Sequence, residues 1–231
     1  MTLYLVPIVE GHTEVGCIER LLQRVWTELL LAPDRLQVLP ASRGKRDALI
    51  DPDHPDFTAK IEEAYAKLAR RLRHDSSGQG RGMLLLFLDA EKDCPAELAP
   101  LLLEAATRIR SDTSIACVMP KQMLENWIVA GASTLAGVND LPDSLPARDQ
   151  FEDRSGAAWL EAQLRSKSRV RKYKKPDDAE VFVRAMALLE CRDNAPSFDK
   201  LCRELHKRFP SALQPETSPD DGDGLAGAPP P

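Results

Sequence analysis

No apolar run in this chain approaches the roughly 20 residues that a membrane-spanning helix needs, so an integral membrane protein is not expected. The start, MTLYLVPIVEGHTE, lacks the basic leader region and small-residue cleavage site of a secretory signal. Five cysteines (17, 94, 117, 191 and 202) are odd in number, scattered and never in a CxxC pair. That argues against a disulfide framework and against a thiolate zinc site. No GxxxxGK[ST] element occurs, so the chain does not supply a P-loop ATPase of its own. No internal repeat is visible. These absences predict a soluble cytoplasmic protein.

What is present is enough for a core. Apolar residues make up 43% of 231 residues, a length that suggests one domain, or one plus a small appendage. The net charge of −5 is unevenly spread. Residues 211–231 (SALQPETSPDDGDGLAGAPPP) hold four acids and no base, and without them the balance is −1. Their Pro, Gly, Asp and Ser content cannot offset ordering entropy, so they are expected to form a disordered acidic tail. Residues 165–175 (RSKSRVRKYKK) hold seven bases in eleven positions.

Residues 3–9 and 36–39 read as strands, as does the fully apolar run 83–88, MLLLFL, which suits a strand covered on both faces. Residues 114–119 make a fourth. Pro7 inside the first is unusual, because proline belongs at sheet edges or bulges. Helical periodicity covers 13–31, with Thr13 as N-cap, then 57–73, 96–110 and 122–130. Trp26 and Trp127 read as core. The alternation predicts an α/β fold, a parallel sheet of about four strands with helices on both faces. Helices alone follow, at 156–164, 177–189 and 197–207, as a helical C-terminal part.

Acids stand where strands end. Glu10 closes the first strand, Asp89, Glu91 and Asp93 follow the third, and Glu125 lies beyond the fourth. In an open parallel sheet those carboxyl ends line the binding crevice. Crowded carboxylates repel and raise one another's pKa, and a divalent cation with a preference for oxygen, Mg²⁺ or Mn²⁺, relieves them. Each acid also has a plain reading: Glu10 and Asp89 as helix caps, residues 91–93 as a solvated loop, Glu125 as a surface residue. Lys45 or Lys92 could meet a phosphate or simply be solvated. His12 could be a general base, a metal ligand or an exposed helix residue. The basic segment, with Arg165, Lys167, Arg169, Arg171, Lys172, Tyr173, Lys174 and Lys175, suits phosphate contacts and base stacking, or an acidic partner.

The segments VEGHTE (9–14), LDAEKD (88–93) and MLENWIVA (123–130) resemble a bacterial Toprim-like family related to the overcoming-lysogenization-defect nucleases and often encoded beside an ATPase. The resemblance covers roughly residues 3–130. Beyond them it rests on Tyr173, Lys174 and Lys175 alone. It implies a Toprim-like metal-binding α/β domain over 1–131, with Glu10 as the first-strand acid and Asp89 and Glu91 as the acid-x-acid pair. Asp is commoner at the second place, so Glu91 is a departure with a longer arm. Glu125 and Trp127 match the subfamily's Glu and Trp, and Gly44 and Lys45 its small-basic element. A helical extension over 132–210 and the tail 211–231 complete the expected organisation. The implied activity is a Mg²⁺- or Mn²⁺-dependent nuclease acting on DNA or RNA. Its catalytic residues would be Glu10, Asp89, Glu91 and Lys45, and its metal ligands Glu10, Asp89, Glu91, Asp93 and Glu125. The implied partner is an ATPase in anti-phage defence. A non-catalytic accessory subunit that docks an ATPase is the alternative. A primase or topoisomerase fits less well, because zinc-ribbon cysteines and a tyrosine-nucleophile domain are missing.

Overall fold

The computed structural model describes residues 1–149, 151–164 and 171–208, with the side chain of Arg208 set aside. The expected tail, and Arg165, Lys167 and Arg169 of the basic segment, lie outside the described residues. The sheet contains β1 (Thr2–Val9), β2 (Arg35–Val38), β3 (Ser42–Arg43), β4 (Arg81–Phe87) and β5 (Ser114–Val118). Its order is β2-β1-β4-β5, with β3 also on β1, and every pairing is parallel. Around it pack α1 (His12–Arg24), α2 (Arg46–Leu49), α3 (Pro55–Arg73), α4 (Pro95–Ile109) and α5 (Leu124–Ala130), followed by α6 (Gly156–Leu164), α7 (Lys175–Ala185), α8 (Leu188–Asn194) and α9 (Pro196–Arg208). The expected α/β architecture with a helical C-terminal part is what the chain forms.

Alternate residues of each strand face opposite ways, and each face has its own core. Leu3, Leu5, Val9, Met83, Leu85 and Phe87 pack with α1, α5 and α7–α9. Tyr4, Val6, Ile8, Leu84, Leu86 and Ile115 pack with α3 and α4. The C-terminal helices therefore share an apolar cluster with the sheet. Trp127 is at its centre, edge-on to Phe87 at 5.4 Å and to Phe198 at 5.1 Å. All five cysteines are free thiols. Among the described residues no helix is long and apolar enough to cross a membrane.

Four details depart from the sequence reading. Residues 42–45, expected as a loop, begin with β3, which pairs Ile8 with Ser42 and Val9 with Arg43. Thr13 is not the cap of α1, because Gly11 is. The helix expected over 177–189 breaks after Ala185, where Met186 and Ala187 are extended and Ala187 N–H donates to Gly131 O. Pro7 lies inside the sheet, paired with Leu85, because of its neighbour. Leu5 O and Val9 O accept from Leu39 N–H and Gly44 N–H, so odd residues of β1 bond toward β2 and β3. Between Val38 and Ser42 that edge is interrupted by Leu39, Pro40 and Ala41. The donor that Pro7 lacks would point into this interruption, where no ladder bond is lost.

Candidate functional site

The chain leaves β1 toward β2 on one side, and the next full strand, β4, lies on the other. The gap between the carboxyl ends of β1 and β4 is thus a topological switch point, where open α/β sheets bind ligands. Glu10 and Asp89 meet there. The backbone N–H of Asp89 donates to Glu10 Oε1 at 2.8 Å, and Asp89 Oδ1 accepts from Leu124 N–H at 2.9 Å. Two strand ends and the start of α5 are tied together by carboxylates. Neither acid caps the helix that follows its strand: α1 follows Gly11 without a side-chain cap, α4 has Cys94 at its cap, and Asp89 instead reaches the first N–H of the more distant α5.

Asp89 and Glu125 are buried, at 7% and 1% exposure, and a further acid, Glu14, joins them at 5%. Burial pushes the Asp89 carboxyl well above its ordinary value, and the charges of Glu14, Glu10 and Glu125 push the same way. Burial also raises Glu14, with Glu125 adding to it, and raises Glu10 against the lowering bond from Asp89. Glu14 Oε2 is buried without a hydrogen-bond partner. It lies over Gly11 so closely that a Cβ there would stand 2.2 Å from it, so glycine at 11 makes the approach possible. Glu125 Oε1 accepts from Tyr173 Oη at 3.3 Å and lies 3.7 Å from Lys175 Nζ.

Outside this inner group stands an outer one, organised by Arg46 at the start of α2. Its Nε is 3.7 Å from both Glu10 Oε2 and Glu91 Oε2, and its Nη2 bonds Asp93 Oδ2 and Ala90 O. The loop that carries Glu91 and Asp93 is strained. Glu91 has φ 50° and Gln122, whose carbonyl accepts from Glu91 N–H, has φ 67°. Left-handed non-glycine residues cost on the order of 1–3 kcal/mol each and cluster at functional sites.

The five expected metal ligands therefore divide. Asp89 and Glu125 lie in the inner group, Glu91 and Asp93 in the outer, and Glu10 touches both. Among the described residues no three His, Cys, Asp or Glu side chains are placed to hold one metal ion as they stand. The donor set nevertheless suits a hard divalent cation, being all oxygen, buried and supplied with one orphan oxygen on Glu14. Lys45, Lys92 and His12 are exposed. The basic segment is only partly free. Arg171 is bound to Asp178 and Asp140, and Tyr173 packs against Phe182 and faces Glu125. Lys175 faces the carboxylates, and Lys172 and Lys174 are exposed. Two nearby carboxylates hold Arg171, and the half-buried Tyr173 ring is stacked on Phe182.

Sequence reading missed Glu14 and Arg46. Glu14 carried a signal: Cys17, Ile18 and Leu21 define the buried face of α1, and position 14 lies on the same stripe. Arg46 carried none, because its partners are 36 to 47 positions away in the chain. Residues 9–206 match the model of one protein family, described as a domain of unknown function (DUF4276). No curated protein and no solved structure matches the chain.

Proposed function

The chain belongs to the DUF4276 family, whose model spans most of it, and from that footing we propose that it is a Mg²⁺- or Mn²⁺-dependent nuclease of Toprim-like type. One observation carries the reading. Glu10, Glu14, Asp89 and Glu125 crowd a switch-point crevice, where burial and mutual repulsion raise the first three. Folding that retains such a cluster costs stability, and sites that shift carboxylates in this way are functional candidates. A divalent cation held by Glu10, Glu14, Asp89 and Glu125 would offset their charge, activate water at neutral pH and neutralise a phosphate.

The protein's own groups have clear tasks in this reading. Leu124 N–H fixes the Asp89 carboxylate, and Asp89 N–H fixes that of Glu10, so both are oriented before any ligand arrives. Tyr173 Oη orients Glu125, and Lys175 holds its charge. Lys45, exposed next to Arg46 in the chain, would be the group to meet a substrate phosphate. Resemblance to the Toprim-like nucleases supports the remainder, an effector acting with an ATPase in bacterial anti-phage defence on DNA or RNA.

A second reading rests on Arg46. Its guanidinium already compensates Glu10, Glu91 and Asp93, as a non-catalytic subunit docking an ATPase would allow. Cleavage of plasmid DNA and total RNA with Mn²⁺ separates the two. Wild type should cleave at least one of them, and Glu10→Ala and Asp89→Ala should lose cleavage and calorimetric Mn²⁺ binding while keeping a native circular-dichroism spectrum. Equal Mn²⁺ binding by all three proteins would sink the metal site, and cleavage of neither substrate class favours the accessory subunit.

A further inference from the structure

Away from the carboxylates, the broken edge of the sheet carries a second feature. Lys67, Arg70 and Arg71 recur at helical spacing and so share one face of α3, and His74, which caps the helix, follows them. With Leu39 and Pro40 they line an open cavity of about 440 Å³. The face is cationic and largely unneutralised. Lys67 bonds Ala41 O and Ser42 Oγ and pairs with Glu63, which Lys60 also holds. Arg70 and Arg71 have no carboxylate partner among the described residues. Arg71 is instead held by neutral groups: its guanidinium lies over the Tyr4 ring at 4.7 Å and its Nη2 donates to Gln37 Oε1 at 3.1 Å. A guanidinium has five N–H donors, and most of these remain for a ligand.

We propose that this face is a track for a nucleic-acid phosphate backbone, feeding a strand along the β2–β3 edge toward the carboxylate site. It rests on the nuclease reading, and it names where the substrate lies. Two simpler roles fall short. Cations at a helix C-terminus favour the dipole, which accounts for the charge of Arg70, Arg71 and Arg73 but not for the fixing of the Arg71 guanidinium over Tyr4. Charged residues also protect sheet edges from strand addition, but here Pro40 already interrupts the edge. The path toward the site is short and bears the right sign. From Pro40 to Lys45 is five residues, at most about 18 Å. Lys45 is exposed at its far end and has no ion-pair partner among the described residues, whereas Arg43, exposed too, projects to the face opposite Ser42 and α3 and is not part of it. Arg46 then reaches Glu10, Glu91 and Asp93. An acidic peptide offers charge too, but not the evenly spaced anions that a row of guanidinium groups along an edge would follow.

Fluorescence anisotropy with a labelled single-stranded oligonucleotide, in EDTA and across a salt series, tests this without any cleavage. Arg70→Gln with Arg71→Gln should weaken binding about tenfold at low salt. Losing two phosphate contacts should make the log–log salt slope shallower by about 1.4. Arg70→Gln alone, a neutral change at an exposed position, should act in the same direction with a melting temperature within about 2 °C of wild type, which guards against misfolding of the double variant. Arg108→Gln, exposed on α4, should leave binding unchanged. An unaltered slope in both Arg70 variants overturns the track but leaves the carboxylate site untouched. Tighter binding of polyglutamate than of the oligonucleotide overturns it in favour of an acidic partner. Loss of binding in the variants, with no Mn²⁺-dependent cleavage by wild type, supports the track and removes only the nuclease reading.

Discussion

Asp89 shows how a single residue can work against the stability of its own fold. Its carboxylate is buried beside Glu14, Glu10 and Glu125, and all of them disfavour its charged form. Asparagine keeps an oxygen for Leu124 N–H and drops the charge. Asp89→Asn should therefore raise the melting temperature in EDTA by a few degrees, and differential scanning fluorimetry checks it. Added Mn²⁺ should stabilise wild type more than this variant, because only wild type regains what repulsion costs. Glu63 runs the opposite way. Lys60 and Lys67 hold it down to about 2, below its unfolded value near 4.3. Its contribution is full above that unfolded value and drains as pH falls toward about 2. Urea titrations of Glu63→Gln should show a flatter acid limb, by a small amount because the carboxylate is half-exposed and screened. At this scale Glu10, Asp89 and Glu125 were legible because strand ends can be read from apolar runs. The salt bridges of Arg46 and Lys175 were not, since such pairs are fixed by tertiary distance rather than by local pattern.

Among the elements, strands and long helices were legible to within a few residues because their periodicity is strong. The breaks between elements were not. Residues 177–189 contain good helix formers, and nothing local stops the helix at Ala185. Gly131 O takes the N–H of Ala187, and Arg24 Nη1 takes Val183 O at 2.7 Å and Met186 O at 3.0 Å. The end of α7 is thus written in α1, about 160 positions earlier. Arg24→Ala should cost about 1.5–3 kcal/mol through lost charged hydrogen bonds, read by chemical denaturation. Much the same loss in Arg24→Lys would fit the bidentate geometry, which an ammonium does not reproduce. Beside α5, Gly156 comes so close that a Cβ would stand 2.4 Å from the Glu125 carbonyl carbon. Gly156→Ala should therefore displace the start of α5 and weaken Mn²⁺ binding, measured by calorimetry, even though residue 156 touches no ligand.

For the molecule as a whole, alternation of strands and helices announced the sheet. What it did not announce is that the C-terminal helices fold back onto the sheet and place Tyr173 and Lys175 against Glu125. Nothing in an amphipathic helix says which surface it will cover. That arrangement bears on how the chain is made. α1 packs most extensively against α7, so its apolar stripe, made within the first 24 residues, waits for a partner that starts at Lys175. At roughly 5–20 residues per second on a ribosome, that interval lasts on the order of 10–30 s. Throughout it Cys17, Leu21 and Leu22 have no final covering. A nascent chain stalled after residue 164 should bind a hydrophobic dye and be cut readily by protease within α1. One stalled far enough beyond residue 208 to clear the exit tunnel should do neither. For most of its synthesis the newborn protein should therefore expose a surface that a holding chaperone would cover, a need set by the order in which its helices emerge.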